Sequence, residues 1–564
     1  MDAELEALFA SAYKLQHEGK LENAIRIYEQ ILSKDTKNLQ TLHYLGLAYA
    51  QTNNIPNAIL YLSKAHELSP NDAILLNNLA NAYKKMNQMD KAIEFYHQAI
   101  KLRPNYAQAH NNLATIHALQ NNYSKALTHY TQAVNAEPDF STAHFNLGLL
   151  FLKNNQLVAA KTQFNNVVAL NPEYAEAHFY LGILYLNDNK LNKAEKEFQK
   201  VLEQDSEQIE AITNLGVIAL KKEHHQQAVD YFTKAIALDN EHIDARNNLA
   251  ATFMHHDRFE NALMHYDVLL KKAPNNIEYL YNSGVAQMAL GHLNEAIIFF
   301  ECILRLQPAH NAALSNLAAI YLKMDQRETS REYLRQALAA NPKDKVSAHM
   351  LHALEGESKA QASPEYAQNL FNNYALYYDQ HMQGTLHYHI PQHIARVIHQ
   401  LKLPINTQSL DLGCGTGLTG IVLREMSKHL VGVDIAAKML TQAKEKEIYD
   451  ELVEAELNEF FKKNHKKYDL IVAADVLPYF GDLNTLFTAI SQHLNPQGYF
   501  IFTTEISDKD SWVLQTSARF SHNPHYIHTI SEQNHLQQLH QEKVPARIQN
   551  QHPLEVMLYV LQNP

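Results

Sequence analysis

Between Ser409 and Ile435 the chain reads SLDLGCGTGLTGIVLREMSKHLVGVDI, placing Gly413, Gly415, Gly417 and Gly420 within eight positions of a sequence with only 16 glycines. Glycine lets a backbone adopt positive φ or approach another group closely, and elsewhere it costs conformational entropy. So dense a cluster predicts a turn that cradles a ligand. Two chemistries compete for it. Gly415, Gly417 and Gly420 have the G-x-G-x-x-G spacing of a dinucleotide turn, with Asp434 placed to hold a ribose. Against that, Asp411 stands before the glycines with one residue between. A carboxylate there repels a diphosphate and attracts a cation. The cationic ligand is preferred, with Asp434 accepting from ribose hydroxyls.

These residues need a sheet to place them. Apolar runs at 409–413, 429–435, 468–476 and 498–505 read as strands, with a late hairpin in ARIQNQHPLEVMLYVL. Helices are expected near 388–401, 418–428, 436–447 and 482–494. Such alternation predicts a parallel sheet wrapped by helices. The polar exceptions Asp411, Asp434 and Asp475 fall at carboxyl ends of strands, the edge where open sheets bind ligands.

The first two thirds have a different rhythm. HYLGLAYAQTNNIPNAILYLSKAHELSP, NNLANAYKKMNQMDKAIEFYHQAIKLRP and NNLATIHALQNNYSKALTHYTQAVNAEP begin 34 residues apart. A small residue recurs from Ala12 and Gly46 through Gly284 and Ala318, and an alanine stands twelve positions later, becoming Ser330 in the last unit. Prolines such as Pro70, Pro104 and Pro138 close the units. The pattern predicts two antiparallel helices per unit, stacked into a superhelix with an inner groove. Two positions before the small residue stands asparagine, at Asn78, Asn112, Asn146, Asn214, Asn248, Asn282 and Asn316. An amide donates to and accepts from a peptide backbone, so this ladder is a candidate reader of extended chains; its alternative is hydrogen bonding between helices. EGESKAQASPEY (355–366) loses the rhythm and reads as a linker.

A net charge of −12 and a pI near 6.3 argue against general nucleic-acid or membrane-surface binding. Two distant cysteines give no disulfide framework, and no segment reaches membrane-spanning length, so a cytoplasmic location is expected. HMQGTLHYHIPQH is rich in histidine but lacks a cysteine pair or HExxH, so no metal is expected.

The repeats resemble the tetratricopeptide repeat (TPR), ten copies over residues 5–344 with 345–354 as a capping helix, and the asparagines resemble the ladder in protein O-GlcNAc transferases. The stretch LDLGCGTG resembles the D/E-x-G-x-G-x-G turn of class I S-adenosylmethionine-dependent methyltransferases. LFNNYALYYDQHMQGTLHYHIP, YDELVEAELNEFF, VAADVLPYFGDL and ARFSHNPHY resemble blocks of a bacterial group that joins the two domains. The resemblance implies an all-α TPR superhelix (1–354), a linker (355–366) and an α/β Rossmann-like class I methyltransferase domain (367–564). It implies S-adenosylmethionine as cofactor, held by Asp411, Gly413, Gly415, Gly417 and Asp434. Glu456 stands where the group has Asp, toward the adenine amino group, with Leu457 beside it. Asn372 stands where the group has another Asp.

Asp475 falls nearest the transferring methyl in this fold and is a candidate hydrogen-bond partner or base for the acceptor, or else an ordinary strand-end hydrogen bond. ADVLPYF lacks the D/N-P-P-Y motif, which disfavours DNA adenine and glutamine as acceptors. Tyr374, Tyr378 and Tyr388 either screen the cofactor from water or pack. His522 is a candidate base, and Arg519 and Tyr526 are candidate substrate contacts. The expected function is a methyltransferase whose TPR groove recruits a protein or peptide. The alternatives are a small-molecule methyltransferase localised by its repeats and a non-catalytic scaffold.

Overall fold

A computed structural model describes residues 3–356, 362–509, 511–549 and 552–564. The chain divides into two compact units, Met1–Leu269 and Leu270–Pro564.

The first unit consists of paired helices: Ala3–His17 with Leu21–Lys34, Leu39–Gln51 with Ile55–Leu68, and so on at the same interval. Each pair turns on a left-handed residue, at Gly19, Asn53, Asn87, Asn121, Asn155, Asn189, Glu223 and Asp257. Glycine and asparagine tolerate that conformation best. The small residue of each first helix faces a side chain of the second. A Cβ added to Gly148, Gly182 or Gly216 would come within 2.7, 2.8 or 2.5 Å of the rings of Phe164, Phe198 or Phe232. Alanines occupy that position where the ring is tyrosine, and the phenol then finds a partner. Tyr28 Oη donates to Gln16 (2.9 Å) and Tyr130 Oη bonds Thr115 (3.1 Å). His110, His144 and His178 recur at the repeat interval and hydrogen-bond the carbonyls of Pro104, Pro138 and Pro172 at 2.9–3.0 Å. In these three repeats the imidazole ties the first helix to the turn before it.

In the second unit the helix pairs continue through Ile277–Ala289 and Leu293–Leu306, then Asn311–Lys323 and Arg327–Ala340. Ser330, standing in the alanine position, donates to the Ala318 carbonyl (2.8 Å) and is fully buried. A helix at Lys345–Glu355 ends on Gly356 with φ +73°. Part of the expected linker, 357–361, lies outside the described residues. Helix Pro364–Gln380 follows, then helix Ile390–Gln400 and nine strands: β1 (Thr407–Leu412), β2 (Ser427–Asp434), β3 (Glu451–Glu454), β4 (Tyr468–Ala473), β5 (Leu494–Ile506), β6 (Trp512–Leu514), β7 (Phe520–His522), β8 (Gln537–Gln549) and β9 (His552–Gln562).

The sheet order is β3-β2-β1-β4-β5-β7-β6, with β9 antiparallel on β5 and β8 on β9. Strands β1 to β5 pair in parallel. Successive residues of β4 serve opposite cores: Ile471 and Ala473 join one apolar cluster, Leu470 and Val472 the other. Burial on both faces explains why Leu470–Ala473 is a continuous apolar run. Strand β3, four partly exposed residues at the edge, and the three-residue strands β6 and β7 carry no apolar run in the sequence long enough to mark them. Within this unit His349 bonds the Ala518 carbonyl (3.1 Å), and Ala353 packs with Ala362, Leu514 and Phe520.

Candidate active site

At the carboxyl ends of β1, β2 and β4 lies a pocket of about 730 Å³ lined by Gly413, Gly415, Asp434, Glu456, Leu457 and Asp475 together with apolar side chains. The turn after β1 runs through three positive-φ glycines, Gly413 (+64°), Gly415 (+54°) and Gly417 (+92°). A Cβ on Gly413 would strike Val476 at 2.5 Å, whereas one on Gly415 would meet nothing within 4 Å. The space above Gly415 belongs to the pocket. Asp434 fixes the turn: Oδ2 accepts from the Gly415 amide (2.9 Å) and Oδ1 from the Ala436 amide (2.8 Å). Burial raises the Asp434 carboxyl, and these amides oppose that shift.

Helix Pro364–Gln380 covers the opening. Asn372 Oδ1 accepts from the Lys438 amide (3.0 Å) and Gln368 donates to the Ile435 carbonyl (3.3 Å), so both anchor this helix beyond β2. Lys446 Nζ bridges Asp379 and the Thr416 carbonyl, each at 2.5 Å, and the Thr416 hydroxyl donates to Asp379. The cover is thereby clasped to the glycine turn. Phe371 and Tyr378 from the cover, with Tyr479 and Phe480 from the segment after β4, form an aromatic wall.

Residues 405–552 match the methyltransferase domain, and 71–136, 120–160, 145–209, 219–282, 277–310 and 312–344 match tetratricopeptide repeats. The chain carries TPR repeats followed by a methyltransferase domain. With its mostly parallel sheet, that domain has the class I methyltransferase fold, which implies S-adenosylmethionine as the cofactor. Over 137 residues (23% of this chain, 56% of the relative) it is 27% identical to a ubiquinone biosynthesis O-methyltransferase of Hydrogenovibrio crunogenus. Over 112 residues (19% and 32%) it is 28% identical to the mitochondrial enzyme of that name from Rattus norvegicus. The chain thus spans about half the length of the first and a third of the second. The repeats are similar to YrrB, a TPR protein with an unusual peptide-binding site, at 29% identity, TM-score 0.30, covering 33% of this chain and 95% of that one.

Within the methyltransferase domain the expected site residues separate into groups. Gly413, Gly415, Asp434, Glu456, Leu457 and Asp475 line one pocket. Glu456 also caps helix Leu457–Lys463 by accepting from the Glu459 amide (3.0 Å). Asp411 and Gly417, expected to hold the cofactor, are not among the residues that line the pocket. Asp411 is buried, accepts from Tyr449 Oη (2.7 Å), and burial raises its carboxyl to about 7. Gly420, expected to help cradle the ligand, instead packs directly on the Tyr449 phenol. Tyr374 is turned toward His381, and Tyr388 is buried in an apolar cluster, so neither is in the pocket wall.

Asp475 (φ +58°) sits in a buried ion network. Arg519 Nη2 reaches Oδ1 (2.5 Å), Arg547 Nη1 reaches Oδ2 (2.7 Å), Arg519 Nε holds Glu505 (2.6 Å), and Arg519 Nη1 donates to Tyr479 Oη (3.0 Å). Burial alone would raise the Asp475 carboxyl, but the two guanidiniums hold it below its ordinary value. A carboxylate so held is a poor proton acceptor. His522 lies outside the pocket wall, with no exposed surface, and bonds the Gly481 carbonyl (3.0 Å); burial lowers it to about 4, so it is neutral near pH 7. Tyr526 links Leu483 and Asp482 rather than reaching the pocket. Cys414 is buried with its thiol pushed up by burial, as a packed residue would be. Neither Glu505 nor Arg547 stood out in sequence, because each lies in a strand far along the chain from Asp475.

The ladder asparagines are half-buried in both units. Asn78, Asn112, Asn146 and Asn316 each reach the residue 35 positions earlier: His43 (2.9 Å), Asn77 (3.3 Å), Asn111 (2.9 Å) and Tyr281 (3.2 Å). Asn214 donates to the Glu210 carbonyl (2.7 Å). Lateral bonds of this kind orient an amide while leaving its oxygen able to accept. Among the described residues no group of three His, Cys, Asp or Glu side chains could hold a metal, and no helix is long and apolar enough to cross a membrane.

Proposed function

We propose that this chain is an S-adenosylmethionine-dependent methyltransferase acting on a protein or peptide segment recruited by its repeats. The observation that carries the reading is the empty volume over Gly415 beside a carboxylate, Asp434, already fixed by two backbone amides. When bound, the cofactor supplies an electrophilic methyl group for in-line displacement. Asp434 accepts from its ribose hydroxyls, and Glu456 with Leu457 flanks its base. Phe371, Tyr378 and Tyr479 exclude water and favour positive charge. Alignment of this kind contributes roughly 7–11 kcal/mol to such a displacement. Because Asp475 is saturated by arginines and His522 is shut away, the pocket favours acceptors that arrive as nucleophiles. Tethering by the repeats raises the acceptor's local concentration.

A second reading, a small-molecule acceptor with the repeats used for localisation, is favoured by the names of the O-methyltransferase relatives and by the aromatic wall. Calorimetry tests the cofactor: S-adenosylmethionine should bind saturably and NADH should not, and Gly415→Val should abolish binding without loss of helical circular dichroism. Methyl-labelled cofactor added to lysate separates the acceptors. Label in proteins that is lost when Asn112, Asn146 and Asn214 become alanine supports the first reading; label confined to small molecules supports the second.

A further inference from the structure

In the first unit, helices Ile209–Lys221 and Ile243–His255 flank an open pocket that includes Glu210, Asn214, His242, Asp244, Asn247 and Asn248. Its lining contains two carboxylates and no lysine or arginine. Asn214 spends one of its two N–H groups on the Glu210 carbonyl (2.7 Å) and keeps its oxygen able to accept. The Asn247 amide oxygen is sealed from solvent and has no hydrogen-bond partner among the described residues. A buried acceptor left unpaired costs free energy until a donor arrives. The site therefore presents two carboxylates and amide acceptors with no lysine or arginine to balance them.

We propose that this pocket receives a lysine or arginine side chain of an extended partner segment whose main chain runs along Asn214 and Asn248. The inference rests on the reading that the repeats bind a peptide, and it adds the chemistry of that peptide. Three successive repeats present a carboxylate at the same helical position, four residues before the ladder position: Glu176, Glu210 and Asp244, all exposed. Side chains four apart share a helix face, so acid and ladder lie one turn from each other. A segment with basic residues at intervals thus meets a carboxylate in each repeat while its backbone meets the amides. Tyr180, which interrupts the asparagines, follows Glu176 at this spacing, so the charged row persists where the amide row lapses.

Fluorescence anisotropy with the full chain tests this, using labelled twelve-residue Gly-Ser peptides carrying lysine, glutamine or glutamate at every fourth position. The lysine peptide should bind at least tenfold tighter than the other two. Glu210→Gln with Asp244→Asn should weaken it at least tenfold while leaving the glutamine peptide unchanged. Glu94→Gln with Asp230→Asn, exposed acids on second helices, makes the same change in net charge and should have no such effect. Equal weakening by both pairs would mean diffuse attraction to an acidic protein and would overturn the site. Equal binding of all three peptides, sensitive to Asn112→Ala and Asn146→Ala, would remove the cation pocket and keep the peptide groove. Binding of no peptide would remove both.

Discussion

Arg519 holds two buried acids and a phenol at once, so its removal makes a demanding test of the ion network. Arg519→Leu keeps much of the apolar volume but deletes the contacts to Glu505 (2.6 Å), Asp475 (2.5 Å) and Tyr479 (3.0 Å). What remains is one guanidinium, Arg547, 2.7 Å from Asp475 and 3.8 Å from Glu505. The Asp475, Glu505, Arg519 and Arg547 side chains are about one-tenth exposed, so water screens little of the imbalance. Breaking a buried pair on one side costs about 3–5 kcal/mol. For a unit of this size that is roughly 6–20 °C in Tm.

The pH dependence has a definite sign. In the parent protein Asp475 is held below its unfolded value of roughly 3.9, so its contribution is present above that pH and is lost as pH falls through the lower folded pKa. In the variant, burial opposed by one arginine instead of two pushes Asp475 upward. The penalty should be largest at pH 7–8 and shrink toward about pH 5 as the acid takes a proton. Trp512, the single tryptophan, packs on Phe520 at 5.7 Å beside Arg519 in sequence and reports local unfolding by fluorescence. Asp475→Asn in the variant background should recover part of the loss. A cost under about 1 kcal/mol, or a gap independent of pH between 5 and 8, would refute the argument, since measured surface ion pairs contribute that little.

Gly420→Ala drives a methyl into the Tyr449 phenol and should displace it from Asp411; about 1–3 kcal/mol of stability should be lost in thermal unfolding, as for other overpacked cores. Asp411, raised to about 7 by burial, binds an extra proton in the folded state between roughly pH 3.9 and 7, so stability falls as pH rises through that window; Asp411→Asn should remove this slope from the Tm–pH curve. Glu223 takes a left-handed turn that the other repeats of the first unit mostly give to glycine or asparagine, and Glu223→Gly should stabilise by about 0.5–1 kcal/mol in urea unfolding.

Much of this protein was legible in its sequence because periodicity is a local property. A small residue every 34 positions, facing an aromatic ring or a leucine sixteen positions later, leaves two antiparallel helices as the consistent solution, and helices recur at that interval. The strand ends at Asp411, Asp434 and Asp475 were legible for a similar reason: a polar residue closing an apolar run marks a sheet edge. The left-handed Asn53, Asn87 and Asn121 carried a readable signal of their own, asparagine at the repeat interval, alongside the more prominent small residues.

Side-chain partners were decided by tertiary structure. Asp475 looked available for an acceptor until β5, β8 and the residue before β7 brought Glu505, Arg547 and Arg519 around it. His522 read as a base until burial in β7 shut it away from the pocket. Gly420 had the spacing of a phosphate turn, yet Tyr449, 29 residues later, explains why it lacks a side chain. Backbone preference is set by neighbours along the chain. The charge state and use of a side chain are set by groups that only folding brings within a few ångströms.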